Sequence, residues 1–288
     1  MVAPGAHPPP SPAHHNGMPE LAEVEHARRL WDVALGEPVT AVHTASPHTR
    51  ALREIDPDAL RAALTGTTLV SSEARGKQMA FRFGPGGARW LGLHLGMSGR
   101  LRVEPAGYEP ARHDRLVVDT AARALVFHDP RGFGRVRFHR GDDEPGWWSS
   151  LAPSVLGEGF TAAGVATFLA QHKRAPVKAV LLMQARFPGV GNWMADEILW
   201  RAGVHPATLA GALGEEGAAE LWRVVRRVSR GAVEHIGDDW RYPATWLFSH
   251  RWEAGGRCPR CGAGLSRDTI GGRTTCWCPR CQPARRRR

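Results

Sequence analysis

Four cysteines near the C-terminal end constrain the fold of this chain more than any other feature. They form two C-x2-C pairs with sixteen residues between them, Cys258 with Cys261 and Cys278 with Cys281. Two such pairs supply four thiolates to one tetrahedral zinc ion, and four protein ligands leave no open position for a substrate. The spacing therefore predicts a small module, residues 257–282, around one structural Zn2+ ion.

The fifth cysteine, Cys276, leaves two interpretations open. It could compete as a metal ligand, or it could be a small buried side chain on the last strand of the module, and we favour the second interpretation. Between the two pairs, Gly271-Gly272 indicates a hairpin tip that presents Arg273 outward. All five cysteines lie between residues 258 and 281, which excludes a disulfide framework for the whole fold.

The charge of the chain favours a polyanionic partner. Its 288 residues include 38 Lys and Arg against 28 Asp and Glu, a net charge of +10. Such a balance is typical of nucleic-acid-binding proteins, although ribosomal and membrane-surface proteins share it. The sequence contains neither an apolar run of membrane-spanning length nor a signal-peptide pattern. We therefore expect a soluble, cytoplasmic protein that associates with the nucleoid in a bacterium, and nothing in the sequence demands more than a monomer.

The order of sequence patterns predicts a β-rich part followed by a helical part. Residues 1–17 contain mostly Pro, Ala, His and Gly, and we predict a disordered extension or sequence upstream of a start at Met18. Helical spacing covers Leu21–Leu35, and Pro57–Leu64 is a short helix capped by Asp56. Seven short strands in about seventy residues then indicate a sandwich or barrel: Thr68–Ser71, Gln78–Phe83, Ala88–His94, Arg100–Glu104, Arg115–Asp119, Ala124–His128 and Arg135–Arg140.

Helical patterns separated by Gly and Pro follow the strands, up to about residue 236. They cover Thr161–His172, Val177–Gln184, Trp193–Ala202 and Glu215–His235. The turn from Phe187 to Asn192 is rich in Gly, and Asn192 is its expected helix cap. Such a turn could direct backbone N–H groups and a helix N-terminus toward a phosphate, with charge added by Lys173 and Lys178.

The segment that begins at Met18 could carry nucleophilic chemistry. If translation starts there and the Met is removed, Pro19 becomes a terminal secondary amine, which can attack an aldehyde or sugar carbon and form a Schiff base. Glu20 would then be placed to transfer protons. The alternative interpretation is an ordinary helix start, with Pro in the first turn and acids near the helix dipole.

Two Gly-flanked turns could contact DNA. One carries Met97 in HLGMSG, and the other carries Arg131 and Phe133 in DPRGFG. Each could be ordinary turn chemistry. Together they offer two apolar side chains and a cation, which is what filling a gap in a base stack requires.

These motifs together resemble the formamidopyrimidine-DNA glycosylase/endonuclease VIII family, from residue 18 to about residue 282. The matching segments follow the family's order: MPELAEVE, Gly76-Lys77, HLGMSG, RHD at Arg112–Asp114, DPRGFG, VK…PGVGNWMADEILWRAGVHP, and the C-x2-C…GRTT…C-x2-C finger. The resemblance implies an α+β fold: an N-terminal β-sandwich flanked by helices, then a helical domain with a helix–two-turn–helix motif and a zinc-finger hairpin. The expected divisions are 1–17, 18–148, 149–256, 257–282 and a basic tail at 283–288.

The resemblance also implies a base-excision-repair DNA glycosylase with AP lyase activity on damaged double-stranded DNA. Its catalytic residues would be Pro19 as Schiff-base nucleophile, Glu20 as acid/base, Lys77 as proton donor for β-elimination, and Arg273 for δ-elimination and phosphate binding. Its void-filling residues would be Met97, Arg131 and Phe133, its phosphate contacts His113, Lys173, Lys178 and Asn192, and Glu23 matches a further acid of the opening motif.

The chain departs from the family pattern in four places. Ala22 replaces a second proline, and Gly132 stands where a second basic residue is common. The segment 237–257 looks shorter than the loop that covers flipped 8-oxoguanine in the formamidopyrimidine branch. This favours endonuclease VIII-like preference, while the void-filling motifs favour the other branch. Finally, residues 1–17, if retained, would hold the Pro19 nitrogen in an amide.

Two other functions remain as alternatives. The first is a zinc-containing DNA-damage-binding protein on the same scaffold without catalysis, which would follow if residues 1–17 are retained. The second is a zinc-ribbon transcription or translation factor. It explains the finger and the charge but accounts for neither Pro19 nor Lys77 nor the two turns.

Overall fold

The computed structural model describes residues 18–45, 49–239, 242–252 and 254–284, with the side chains of 236–239 left out. The predicted extension, residues 1–17, and the four arginines at 285–288 lie outside these ranges. None of the helices within them combines the length and apolar character needed to cross a bilayer.

The chain begins with helix α1, Leu21–Trp31, and a 3-10 turn at Asp32–Ala34. The predicted helix to Leu35 is therefore too long, because the backbone turns at Gly36, where φ is +85°. Helix α2, Pro57–Leu64, begins where predicted. The Asp56 side chain accepts hydrogen bonds from the N–H groups of the first turn, and Pro occupies the first position.

Eight strands form two antiparallel four-stranded sheets, which confirms the β-sandwich. Their order is β1-β6-β7-β5 in one sheet and β2-β3-β4-β8 in the other. The strands are β1 Val39–Thr44, β2 Leu69–Arg75, β3 Gln78–Phe83, β4 Arg89–His94, β5 Arg100–Pro105, β6 Asp114–Thr120, β7 Arg123–His128 and β8 Arg135–Arg140. Apolar side chains from both sheets, among them Phe81, Leu91, Leu116 and Phe127, meet in one buried core.

The second half of the described chain is helical up to residue 239, as predicted. A short helix α3, Gly146–Ser149, precedes α4 Ala162–Gln171, α5 Val177–Leu181, α6 Asn192–Ala202 and α7 Gly214–Asp239. Thr161 caps α4 by accepting a hydrogen bond from Gly164 N at 3.2 Å. Helix α5 is shorter than predicted, since Leu182 N and Met183 N bond to carbonyls three residues back and close the helix.

Helix α1 belongs to both halves of the fold. Its first two residues, Leu21 and Ala22, are buried in the core of the helical part. Val24, Ala27 and Trp31 are buried in the core of the sandwich. Because one helix contributes to both cores, the two halves are held against each other at the residues that follow Pro19 and Glu20.

The C-terminal module is a two-stranded hairpin. Strands β9, Ser266–Ile270, and β10, Arg273–Trp277, pair antiparallel, with Ile270 opposite Arg273. Gly271 and Gly272 between them have φ of +61° and +73°, the left-handed values that a two-residue hairpin turn needs. The predicted tip is confirmed, and Arg273 is exposed beside it.

Trp31 gives a direct test of this packing. Its side chain is buried, lies with its ring centroid 4.7 Å from that of Phe81, and donates from Nε1 to Arg102 O at 3.2 Å. Truncating a buried aromatic removes transfer energy and leaves a cavity, so Trp31→Ala should lower the unfolding free energy by about 3–5 kcal/mol in chemical denaturation. Exposed Val33, just past α1, is the control, and Val33→Ala should change stability by less than about 0.5 kcal/mol. Equal effects would contradict this assignment of the core.

Candidate active site

The carboxylate of Glu20 lies against the N-terminus of helix α6. It accepts hydrogen bonds from the backbone N–H groups of Gly191, Trp193 and Met194 at 3.0, 3.0 and 3.1 Å. These donors form the positive end of the helix, where a negative charge is stabilised. These hydrogen bonds join Glu20 to residues 191–194, far along the sequence. They hold the Glu20 carboxylate in one orientation, next to Pro19 in the chain.

This contact corrects the prediction for the Gly-rich turn. The expected phosphate-binding N–H groups of Gly191, Trp193 and Met194 are already bound to Glu20, so the turn serves an internal carboxylate. The helix cap is Gly191, and Asn192 is the first helical residue. A Cβ on Gly191 would lie 2.2 Å from Glu20 Cδ, which explains why only glycine fits there.

A second carboxylate lies beside the first. Glu23 Oε2 accepts a hydrogen bond from Glu20 N at 3.1 Å, and its Oε1 accepts one from Trp193 Nε1 at 3.1 Å. Burial, reinforced by the charge of Glu23, raises the pKa of Glu20 to about 7, while Lys77 and the backbone donors oppose the shift. Glu20 can therefore both hold and release a proton near neutral pH, as an acid/base group must.

Lys77 reaches the same place from the sandwich. It follows Gly76 at the tip of the hairpin between β2 and β3, and Gly76 packs against Pro188 with φ of +64°. The Lys77 ammonium lies 3.8 Å from the sulfur of Met18. Burial lowers its pKa, with a further contribution from the charge of Arg273, while the two glutamates oppose this. Lys77 is thus close to the start of the described chain.

The four paired cysteines form one cluster, as predicted. Their sulfur atoms all lie within 4.8 Å of one another, with Sγ–Sγ distances of 3.8 Å for Cys258–Cys281 and 3.5 Å for Cys261–Cys278. A tetrahedral zinc with Zn–S bonds of about 2.3 Å requires edges of about 3.8 Å, so the cluster fits one structural zinc ion. Cys276 is buried on β10 outside the cluster, and burial raises the pKa of its thiol to about 11.

The two turns that carry Met97 and Phe133 pack against each other and expose both side chains. Asp129 joins them, because its carboxylate accepts hydrogen bonds from Ser98 Oγ and Gly134 N, both at 2.7 Å. Met97 is 38% exposed and Phe133 43%, so both apolar side chains are accessible from solvent. We call these two side chains with Arg131 the void-filling group.

The structure adds Arg50 to this surface. Two guanidinium groups approach the Phe133 ring, with Arg131 Cζ 5.1 Å and Arg50 Cζ 5.5 Å from its centroid. Sequence reasoning missed Arg50 because it belongs to a 3-10 turn outside every motif. Its position next to Phe133 follows only from the tertiary fold.

The predicted phosphate contacts occupy different environments. His113 lies beside the DPRGFG turn, since its carbonyl accepts from Asp129 N at 2.9 Å. Lys173 is exposed at the end of α4. Asn192 Nδ2 donates to Thr274 O at 2.8 Å, which joins α6 to the finger. Lys178 differs from the prediction: it is fully buried, and its ammonium donates to Asn192 O at 2.7 Å and to Asp196.

Three protein-family models match successive parts of the described chain. The formamidopyrimidine-DNA glycosylase N-terminal domain matches residues 18–136, the H2TH domain of the same enzyme 151–241, and the zinc finger found in FPG and IleRS 255–284. Formamidopyrimidine-DNA glycosylase of Laribacter hongkongensis is 37% identical over 279 residues, covering 92% of this chain and all of the relative. The Thermus thermophilus enzyme is 37% identical over 281 residues, covering 92% of this chain and 98% of the relative.

Solved structures agree with the sequence matches. Lactococcus lactis Fpg in complex with abasic-site DNA superposes with a TM-score of 0.80 at 27% identity, covering 92% of this chain and all of that one. The fold and the site define a DNA glycosylase of base excision repair. The chain belongs to the formamidopyrimidine-DNA glycosylase family.

The pKa of Glu20 can be tested through its neighbour. Glu23→Gln removes the negative charge that disfavours ionisation of Glu20, so the Glu20 pKa should fall below about 7, measured by carbon-13 NMR titration of labelled carboxylates. The control is Glu25→Gln on the same helix, whose carboxylate pairs with Arg28 and Arg29 instead. An unchanged Glu20 pKa in Glu23→Gln would show that the two acids do not interact as described.

Proposed function

We propose that this glycosylase removes oxidised bases from double-stranded DNA through a Schiff base at Pro19 and then nicks the strand as an AP lyase. The observation that carries the proposal is the fixed Glu20 carboxyl at the N-terminus of α6, with Lys77 close by, at the start of α1. Support comes from Lactococcus lactis Fpg, whose structures contain DNA with an abasic site, an oxidised pyrimidine or Fapy-dG.

The first step forms the covalent intermediate. The lone pair of a free Pro19 nitrogen attacks C1′ of the damaged nucleotide, and the bond from C1′ to the base breaks, so the base leaves with that electron pair and a proton. Opening of the sugar ring gives an iminium ion between Pro19 and C1′. Glu20, which exchanges its proton near pH 7, supplies the proton that the sugar ring oxygen takes up.

Strand cleavage follows by two eliminations. In the β-elimination the C2′ proton passes to water, a C2′–C3′ double bond forms, and the bond from C3′ to the 3′ phosphate oxygen breaks, with Lys77 donating a proton to that departing oxygen. In the δ-elimination the C4′ proton passes to water, a C4′–C5′ double bond forms, and the bond from C5′ to the 5′ phosphate oxygen breaks, with Arg273 holding that phosphate. The depressed pKa of Lys77 makes its ammonium a better proton donor than a free lysine.

The void-filling group and the basic side chains bind the duplex. Taking a nucleotide out of the stack costs a few kcal/mol, which inserted apolar side chains and phosphate contacts offset. We assign phosphate contacts to His113, Lys173 and Asn192. Lys178 acts through its hydrogen bond to Asn192 O, and it positions Asn192 without reaching a phosphate itself.

Catalysis requires that Pro19 be the chain terminus, because an amide nitrogen cannot form an iminium ion. A chain that retains residues 1–17 would keep the DNA-binding surface and lose the chemistry. The second candidate function is a non-catalytic DNA-damage-binding protein. It differs from the first only in the peptide bond that would join residue 18 to the Pro19 nitrogen.

If Lys77 acts as a proton donor, a variant that keeps only its positive charge should lose activity. Lys77→Arg keeps the positive charge but gives up its proton far less readily, so strand nicking at an abasic site should fall by about 100-fold or more. Lys77→Ala should show a similar loss together with weaker DNA binding. The measurement is nicking of an end-labelled duplex with protein that begins at Pro19. If Lys77→Arg nicks the strand at the parent rate, Lys77 is not the proton donor.

The role of Phe133 predicts a loss of lesion preference. Stacking of one aromatic ring on a base is worth about 1–3 kcal/mol, so Phe133→Ala should weaken binding to a duplex with a tetrahydrofuran abasic analogue and leave binding to intact duplex nearly unchanged. Val70→Ala is the control, since Val70 is a similarly exposed apolar residue, 45% against 43%, on strand β2. Fluorescence anisotropy on both duplexes gives the ratio of the affinity for the abasic-analogue duplex to that for the intact duplex. An unaltered ratio in Phe133→Ala would contradict the insertion of Phe133 into the base stack.

A further inference from the structure

Three buried charges form a cluster in which only Lys178, through its hydrogen bond to Asn192 O, has a role so far. Asp196 on α6 accepts from Lys178 Nζ at 2.5 Å and from Arg251 Nη2 at 2.6 Å, and all three side chains are almost completely buried. Removing three charges from water is expensive, and here a single carboxylate is shared by two basic groups. A well-packed apolar cluster would stabilise this region more simply, so a functional reason is needed.

Asp196 has a third partner, on the finger. Its Oδ2 also accepts from the backbone N–H of Cys276 at 3.0 Å. One helical turn earlier on α6, Asn192 Nδ2 donates to Thr274 O at 2.8 Å. Residues four apart on a helix and two apart on a strand have similar spacing, so α6 binds the backbone of β10 at two successive positions, immediately after Arg273.

The tip of the finger has a further contact, with helix α5. A Cβ on Gly271 would lie 2.7 Å from Ala179 Cβ, so the backbone at Gly271 rests directly on α5. A Cβ on the neighbouring Gly272 would have nothing within 4 Å. Along the chain, Arg273 is therefore preceded by the contact of Gly271 with α5 and followed by the contacts of Thr274 and Cys276 with α6.

The zinc site alone is too far away to fix Arg273. Cys278, the ligand nearest to Arg273 in sequence, is the residue after β10 and lies five residues further on, which in an extended strand is about 17 Å. A two-stranded ribbon is marginally stable on its own and twists readily, so small changes at the metal would move the tip considerably.

We propose that Asp196 and Gly271 are positioning residues that dock the finger hairpin on α6 and α5 and thereby set where the Arg273 guanidinium lies for δ-elimination. The inference rests on the proposed function, which gives Arg273 its role. In this proposal, the buried Lys178–Asp196–Arg251 cluster is the part of the helical domain that holds the finger. The zinc ion then organises the base of the finger, and the α5 and α6 contacts organise its tip.

The two glycines at the tip provide a matched test. Gly271→Ala and Gly272→Ala place a methyl group on residues of similar left-handed φ and so carry similar strain, but only Gly271→Ala meets Ala179. The readout is the ratio of β,δ- to β-elimination product on an abasic duplex, with zinc content and borohydride-trapped adduct measured on the same samples. A displacement of about 1 Å at a catalytic group reduces rates strongly, so Gly271→Ala should lower the ratio by about tenfold or more.

The expected pattern is specific. Gly271→Ala should lose δ-elimination while zinc content and trapped adduct remain at parent levels, and Gly272→Ala should resemble the parent. Equal ratios in the two variants, or a loss that follows zinc content, would overturn the inference. A failure of the proposed function appears differently, as a parent protein that gives neither adduct nor nick.

Asp196→Asn provides the second variant and a readout independent of chemistry. It weakens the acceptor for Cys276 N and removes the carboxylate that Lys178 and Arg251 share, so the same loss of δ-product is expected. Amide hydrogen exchange should accelerate at Thr275 and Cys276 of β10 while the Cys258 amide at the finger base, bonded to Ala263 O, stays protected. Unchanged exchange on β10 in a folded Asp196→Asn protein would show that Asp196 does not hold the hairpin.

Discussion

The bonds from the N-terminus of α6 to the Glu20 carboxylate are the interaction on which the rest of the site depends. Three backbone donors fix a carboxyl group whose ionisation is made difficult by burial and by Glu23. The helix dipole favours the charged form, and burial favours the neutral form. Their balance leaves a proton that can be exchanged near pH 7. The same bonds fasten the start of α1 to the helical part of the fold, and they add to the burial of α1 in both cores.

The remaining candidate residues come from separate elements of the fold. The sandwich contributes the β2–β3 hairpin with Lys77 and the turns of the void-filling group. The helical part contributes the first turn of α6, and the zinc module contributes Arg273. Helix α1 has buried residues in both cores and holds the junction rigid. The net charge of +10 supplies the attraction for DNA, while the buried acids and Lys77 are the groups to which we assign the proposed chemistry.

Much of the fold was predictable because its signals are local. Seven of the eight sandwich strands, Asp56 as a cap, and the four-cysteine spacing follow from side-chain alternation, capping and ligand geometry, and the structure confirms them. The errors concern tertiary partners. The α6 N-terminus was predicted to bind a phosphate, because no local pattern shows that Glu20, more than 170 residues earlier, already occupies it. For the same reason the burial of Lys178 and the approach of Arg50 to Phe133 were not predicted. The domain divisions stay predictions.

The most direct test of this account is borohydride trapping on a duplex with one abasic site, using protein that begins at Pro19 and protein that retains residues 1–17. Reduction of an iminium gives a stable adduct, which peptide mass mapping assigns to one residue. The account predicts an adduct on Pro19 in the first protein and none in the second, although both should bind the duplex. An adduct on Lys77, or equal trapping by both proteins, would contradict the assignment of Pro19 as nucleophile.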